Sequence, residues 1–539
     1  MRFWLRLWTI AVLFVFASTG GVMAGTFGSE YEASGTCGGF PKAPIATPPW
    51  LCAAIVAGPD QGLKFPRDVL EIGPGRVLIS DMGGWRAGLG RILDVTIAPH
   101  SEPVVTTLFA NLDQPNALVR GPDGLIYVGE TAQIWRFDLK SVVAGLEPVK
   151  DIVIAGLPNT GRHPLKQFVF DKAGNIILNI GAPTDRCEQT PGNLASVGVL
   201  CPVMLGDKPQ AALWKLEMAA GKVKSVTTLA VGLRNSMALA VHPTSGMIVQ
   251  GENSIDLEPD NDPPEELNII GPGWNYGWPF CTGDNRPLPQ LAGRKFNCDG
   301  FEKPAVLVPG HAAPLGLVYY VGAMFPELAG KLIMGAHGYR ANGHRIVAYD
   351  TAADGRPIRP SDTGLPKFPM AIVDDWALVK GVHPQGAPVA LSLGADGRIW
   401  FAEDRNQTLM MLMKPGAVAE VPSAPALPSR PVVAAVSTPP KAWAAYYRKR
   451  LRSSCRNCHL EFQPKSARLS WTLLSGKGWV APADLPASKI IKAMRSEAPL
   501  PSMPPPKGYA GNKRAIADLE AFLAKAAAEG AVTEGGKAP

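Results

Sequence analysis

Gly121-Pro122-Asp123-Gly124-Leu125-Ile126-Tyr127-Val128 reads as a tight turn feeding a short, apolar, β-branched strand. The same figure recurs. Gly73-Pro74-Gly75-Arg76-Val77-Leu78-Ile79-Ser80 precedes it, and Asp171-Lys172-Ala173-Gly174-Asn175-Ile176-Ile177-Leu178 follows. Three later copies are His242-Pro243-Thr244-Ser245-Gly246-Met247-Ile248-Val249, Glu327-Leu328-Ala329-Gly330-Lys331-Leu332-Ile333-Met334 and Gly394-Ala395-Asp396-Gly397-Arg398-Ile399-Trp400-Phe401. The spacing is about 50 residues at first and longer later, where insertions sit. Several copies follow another apolar strand, as at Pro115-Asn116-Ala117-Leu118-Val119. Radially repeated sheets of this kind predict an all-β, six-bladed β-propeller, with a generic β-sandwich as the alternative. No long helical pattern precedes residue 415.

The flanking segments set compartment and domain order. Met1-Arg2-Phe3-Trp4-Leu5-Arg6 is basic, residues 7–17 are apolar, and Val22-Met23-Ala24 offers small residues. This predicts a signal peptide over residues 1–24 and a periplasmic protein. The apolar run falls short of a membrane span, so membrane association requires an uncleaved signal. The propeller is expected over residues 25–414. Residues 415–440 are rich in Pro, Ala, Val and Ser without periodicity, as in a semi-stiff linker.

The last segment, residues 441–539, carries Cys455-Arg456-Asn457-Cys458-His459. C-x-x-C-H is the attachment signature of haem c, with Cys455 and Cys458 as thioether donors and His459 as proximal iron ligand. Met503, in Pro501-Ser502-Met503-Pro504-Pro505-Pro506, is the candidate sixth ligand. Met494 competes, but its surroundings read as a packed helix. Residues 513–526 have helical apolar spacing, so a small all-α cytochrome c domain is expected.

The other six of the eight cysteines fall as close pairs: Cys37 with Cys52, Cys187 with Cys201, Cys281 with Cys298. Six cysteines allow 15 pairings; nearest-neighbour bonding is the simplest, because each bond staples one loop. Charge is uneven. Residues 441–539 hold 17 Lys/Arg against 7 Asp/Glu, which leaves the propeller and linker near −5 once the signal is set aside. A basic cytochrome facing an acidic propeller favours electrostatic docking. The basic residues lack aromatic interleaving, which argues against a nucleic-acid partner.

Three motifs carry a family resemblance over roughly residues 65–409. They are Leu233-Arg234-Asn235-Ser236-Met237-Ala238, Asp262-Pro263-Pro264-Glu265-Glu266-Leu267-Asn268 and Trp274-Asn275-Tyr276-Gly277-Trp278-Pro279. His311-Ala312-Ala313-Pro314 and His337-Gly338-Tyr339-Arg340 add to them. The chain resembles the soluble sugar dehydrogenases dependent on pyrroloquinoline quinone (PQQ), in the sorbosone and pyranose dehydrogenase branch. That resemblance implies quinone and calcium above the central channel. It implies His163 as catalytic base, Arg234 and Asn235 as quinone contacts, and His311, His337 and Arg340 in the quinone and substrate pocket. It implies calcium on main-chain oxygens of Ser254 and Ile255, and a structural calcium at Glu266 and the main chain of Tyr276.

The chain also departs from the family. Ala182 stands where the family has Asp, with Asp185 a candidate substitute. Met237 replaces a polar cofactor contact, Ala387 precedes the last inner-strand proline in place of arginine, and Gln114 is the candidate glutamine contact. The resulting expectation is a quinohaemoprotein that oxidises a sugar or related polyol or aldehyde and passes electrons to an external acceptor, such as a soluble cytochrome or oxidase. Two alternatives stand beside it: a non-catalytic binding propeller, and a calcium-dependent hydrolase such as a lactonase.

Overall fold

In the computed structural model the described residues are 31–416, except 147, 189–200, 258, 289–290, 292–295, 362, 375 and 377–385, together with 521–522. The chain divides into two compact units, Met1–Ala426 and Leu427–Pro539. The first holds six sheets of four antiparallel strands, one of them extended, arranged as the predicted six-bladed propeller. Among the described residues of the second, Ala521 and Phe522 are helical.

Each blade begins with its inner strand. These are Pro66–Gly73, Leu118–Arg120, Phe168–Phe170, Ala238–Val241, Pro314–Tyr319 and Pro388–Leu393 for blades 1 to 6. The next strands are Arg76–Asp81, Ile126–Glu130, Ile176–Ile180, Ile248–Glu252, Leu332–Ala336 and Ile399–Glu403. All but Ile248 in these second strands is buried, which is why they read as continuous apolar runs rather than alternating ones. Blade 3 gains a fifth strand, Trp274–Asn275, parallel to its outer edge. The last blade is completed by the N-terminal strand Cys52–Ala57, which pairs with Thr408–Met413. Joining the two ends of the domain in one sheet closes the ring and leaves no open seam.

The six repeated turns all lie between the first and second strands of a blade, at one end of the propeller. The closing glycines Gly75, Gly124, Gly174, Gly246, Gly330 and Gly397 have φ between +65° and +91°. Other residues adopt this backbone region at a cost, so glycine marks each turn. The three predicted disulfides are present, Cys37–Cys52, Cys187–Cys201 and Cys281–Cys298, and close loops of 15, 14 and 17 residues. Among the described residues, no helix is long and apolar enough to cross a membrane. The predicted signal, most of the linker and the haem residues Cys455, Cys458, His459 and Met503 lie outside the described residues.

Candidate functional site

The inner strands surround a cavity of about 390 Å³ along the propeller axis, lined by Val69, Leu118, Phe168, Leu239, Leu317 and Leu391, one from each blade. Arg67, Asn116, Gln167 and Met237 line it too, at or just before the strand starts, opposite the glycine turns. There Met82, Leu165 and Met237 form a buried cluster against which Phe65 and Leu315 pack. This apolar cluster floors the mouth of the channel.

His163 stands beside that floor. Its Nδ1 lies 2.6 Å from the Ala182 carbonyl oxygen. A carbonyl only accepts, so Nδ1 carries the proton and Nε2 keeps its lone pair. Burial pushes the imidazole pKa down to about 3, and the charge of Arg234 adds to the shift. The ring is therefore neutral at ordinary pH, with the Nε2 lone pair free. Gly181 explains the placement: a Cβ there would lie 2.6 Å from the Cβ of His163 and 3.3 Å from Asn235 Oδ1. Only a bare backbone lets the base and the asparagine close over one point.

Arg234 is buried. Its Nη2 is 2.6 Å from Asp185 and 3.1 Å from Asp256, and its Nη1 donates to the Asn253 carbonyl at 2.9 Å. Asp185 is thus the buried counter-ion of Arg234. Burial alone would raise the pKa of Asp185; the Arg234 charge and the Asp256 N–H hold it below the usual range. Arg234 Nε and Asn235 Oδ1 are buried without a hydrogen-bond partner. The two orphaned atoms ask for opposite partners: Arg234 Nε–H suits a ligand carboxylate or carbonyl, and Asn235 Oδ1, which only accepts, suits a ligand N–H or O–H.

A second polar group lies across the mouth. His337 Nε2 is 3.0 Å from Asp404, whose other oxygen accepts from Arg67 Nη1 at 2.6 Å. Arg67 Nε donates to Asn116, and Asn116 donates to Gln167 at 2.8 Å. Arg340 approaches His311 at 3.1 Å, while His311 Nε2 also faces the Pro259 carbonyl oxygen. The predicted pocket residues therefore separate into three small groups: His163 with Arg234 and Asn235, His311 with Arg340, and His337 with Asp404 and Arg67. Gln114 is buried on the turn before the inner strand of blade 2.

Sequence reasoning missed Arg67, Asp404, Asn116 and Gln167. It also missed Lys166, a buried amine whose Nζ donates to the Pro164 carbonyl at 2.6 Å and whose pKa burial lowers to about 7. Their one local signal is position: each sits at the start of an inner strand or the end of a second strand, as His163, Arg234 and His337 do.

Ser254, Ile255, Glu266 and Tyr276 line one small cavity of about 20 Å³, with Glu252 and Thr282. That is room for one water or ion. Burial raises Glu252 to about 8, aided by the charge of Glu266, and raises Glu266 itself to about 7. Thr282 Oγ1 is buried without a partner. Glu266 accepts from Asn268 and from the Gly283 N–H, and the Tyr276 hydroxyl donates to the Ile269 carbonyl at 2.6 Å. Among the described residues, no group of three or more His, Cys, Asp or Glu is placed to hold a metal. A cation here would rest on two carboxylates and neutral oxygens, a donor set that suits calcium.

Residues 86–354 match the Glucose / Sorbosone dehydrogenase family. A pyrroloquinoline quinone-dependent sugar dehydrogenase of Hypocrea jecorina is 22% identical over 415 residues, 69% of this chain and 90% of that protein. An uncharacterised protein of Borreliella burgdorferi is 29% identical over 261 residues, which are 47% of this chain and 61% of that protein. The chain thus spans less than two thirds of that relative. The PQQ domain of pyranose dehydrogenase from Coprinopsis cinerea superposes with a TM-score of 0.54 at 17% identity, covering 70% of this chain and 99% of that domain. A calcium structure of the family AA12 enzyme of Trichoderma reesei gives 0.54 at 18% identity, covering 72% and 98%. Both likenesses concern the fold.

Proposed function

With residues 86–354 assigned to the glucose/sorbosone dehydrogenase family, we propose that the chain is a periplasmic PQQ-dependent sugar dehydrogenase coupled to a haem c domain. Its substrate is a sugar or a related polyol or aldehyde. The observation that carries this reading is the placement of His163: Nδ1–H is committed to a carbonyl, and Nε2 keeps a free lone pair to accept a proton.

In this reading Nε2 takes the proton of the reacting hydroxyl. Arg234 and Asn235 would hold the cofactor, Arg234 Nε–H as a donor and Asn235 Oδ1 as an acceptor, the two buried atoms that lack partners. The floor of Phe65, Met82, Leu165, Met237 and Leu315 excludes water beneath it. When bound, PQQ supplies the hydride acceptor and calcium a Lewis acid beside it. Ser254, Ile255, Glu266 and Tyr276 line one cavity with room for one ion, so their oxygens would hold a single calcium there. Cys455 and Cys458 would bind a haem and His459 and Met503 its iron; that group would supply a one-electron outlet to an external acceptor.

The test is reconstitution with PQQ and calcium, followed by haem absorbance on addition of sugars. His163→Ala should leave PQQ binding intact and slow haem reduction about 10²- to 10⁴-fold, the range of a general base. The competing reading, a non-catalytic binding propeller, is favoured by the closure of Arg234 onto Asp185. Wild-type protein that binds no PQQ by calorimetry, with calcium present, would decide for it.

A further inference from the structure

Trp85 stands out among the tryptophans. It is 58% exposed, whereas Trp135, Trp376 and Trp400 are fully buried and Trp274, at 39%, lies on the outer edge of blade 3. Among the described residues no other tryptophan is as exposed. An indole left in water forfeits about 2 kcal/mol of burial; one exposed ring is ordinary by itself, so any reason for it comes from where it sits.

Its position supplies one. Trp85 lies in the connection between Arg76–Asp81 and Gly90–Thr96 of blade 1, at the site end of the propeller. Its ring meets Phe65 edge-on at 6.1 Å. Phe65 packs on the floor that contains Leu165 and Met237, two residues beyond His163 and Asn235. The connection is tightly built: a Cβ at Gly83 would lie 2.3 Å from the Leu89 carbonyl oxygen, so the loop closes on itself below the indole.

Arg67, stacked at 5.8 Å on Phe65, continues the contacts to Asp404, His337 and a second exposed ring, Tyr339. Tyr339 is 62% exposed and clamped by Arg405, 3.8 Å from its centroid. The mouth therefore carries two exposed aromatic rings, Trp85 against Phe65 and Tyr339 against Arg405.

We propose that Trp85 is a saccharide platform. It takes a pyranose ring beyond the one oxidised, so the preferred substrates are saccharides of two or more units rather than monosaccharides. The apolar face of a pyranose presents C–H bonds with partial positive charge, which complement the negative face of an indole. Trp85 meets Phe65, and Phe65 packs on the floor that contains Leu165, so the indole is offered to a sugar ring other than the one at the base. This rests on the sugar-dehydrogenase reading of the site.

The test is calorimetry on the full chain, reconstituted with PQQ and calcium, with glucose, cellotriose and maltotriose as probes. Wild type should bind at least one trisaccharide about tenfold or more tighter than glucose. Trp85→Ala should bring that trisaccharide to the glucose level and leave glucose unchanged, while Trp85→Phe keeps most of the preference. Equal affinity for all three sugars in wild type, or an unchanged preference in Trp85→Ala, overturns the proposal. Length-dependent binding through Trp85 without any haem reduction overturns the enzyme reading and leaves the platform standing. Sugar oxidation without length preference does the reverse.

Discussion

The two ends of the propeller are made from the same strands and differ in almost everything else. At one end, six turns join inner and second strands, each closed by a left-handed glycine. Their polar groups are mostly exposed and satisfied locally: Asp171 accepts the N–H groups of Ala173 and Asn175. At the other end the connections carry buried ionisable groups, with Arg234 on Asp185, Arg67 on Asp404, and Glu252 near Glu266. Burying such groups opposes folding unless each is paired. The turn end thus contributes stability through regular hairpins, and the site end uses it to hold charge away from water.

The largest effect expected from this contrast is at Asp185. Asp185→Ala leaves Arg234 buried, with Asp256 as its remaining carboxylate. Removing one partner of a buried pair costs about 3–5 kcal/mol. Chemical denaturation should show a loss near the lower figure, and Asp185→Ala/Arg234→Met should recover much of it. A loss below about 1 kcal/mol in the single variant would show that the site end carries no such burden. Asp123→Asn at the turn end, where the Asp123 side chain is partly exposed, should stay within about 1 kcal/mol.

The same contrast predicts two opposed limbs in the pH dependence of stability. Glu252, Glu265 and Glu266 have folded pKa values raised to about 8, 8 and 7, each first through burial. In that case the folded state binds the extra protons. The stabilisation is complete below the unfolded carboxyl value and is lost as pH rises through 7 to 8. His163 works the other way. Its folded pKa is lowered to about 3, so the unfolded chain takes the proton first and stability falls as pH drops below about 6.5. Thermal midpoints should therefore decline on both sides. Glu252→Gln should flatten the upper limb and His163→Ala the lower. Calcium should raise the midpoint at pH 8 more than at pH 5, because a cation replaces the protons that the glutamates give up. A midpoint that ignores calcium at both pH values would sink the reading of the small cavity as a cation site.

How far the sequence reaches follows the same division. The turns were legible because their cause is local: a left-handed backbone position selects glycine, and the next residues enter a buried strand. The disulfides were legible because each closes a short loop. The networks at the mouth were not, because their partners are distant in the chain. Arg67 and Asp404 come from the first and last blades, and His337 joins them from the fifth. Ring closure brings them together, and Cys52–Ala57 gives no local sign that it pairs with Thr408–Met413. His163, Arg234 and Asn235 were reachable through motif resemblance, and His163 and Asn235 meet at Gly181. Lys166 and Asn116 lie in no such motif and surface only once the strands are placed.

The smallest effect expected is at the turn end, and it separates backbone strain from packing. Gly124 has φ +79°, and a Cβ there meets nothing within 4 Å. Gly124→Ala should therefore cost only the left-handed penalty, about 1 kcal/mol, a shift of about 2 °C in the melting midpoint of a domain this large. Gly397 has φ +91°, but its Cβ would lie 2.7 Å from the Met324 backbone nitrogen and 2.9 Å from that of Ala323. Gly397→Ala should add an overpacking cost of about 1–3 kcal/mol, because backbone cannot step aside as a flexible side chain does. Circular dichroism melts of the two variants give the comparison directly. If both lose the same small amount, the turns are interchangeable and glycine is selected there by conformation alone. If Gly397→Ala loses clearly more, the last turn also docks on the turn between the first two strands of blade 5.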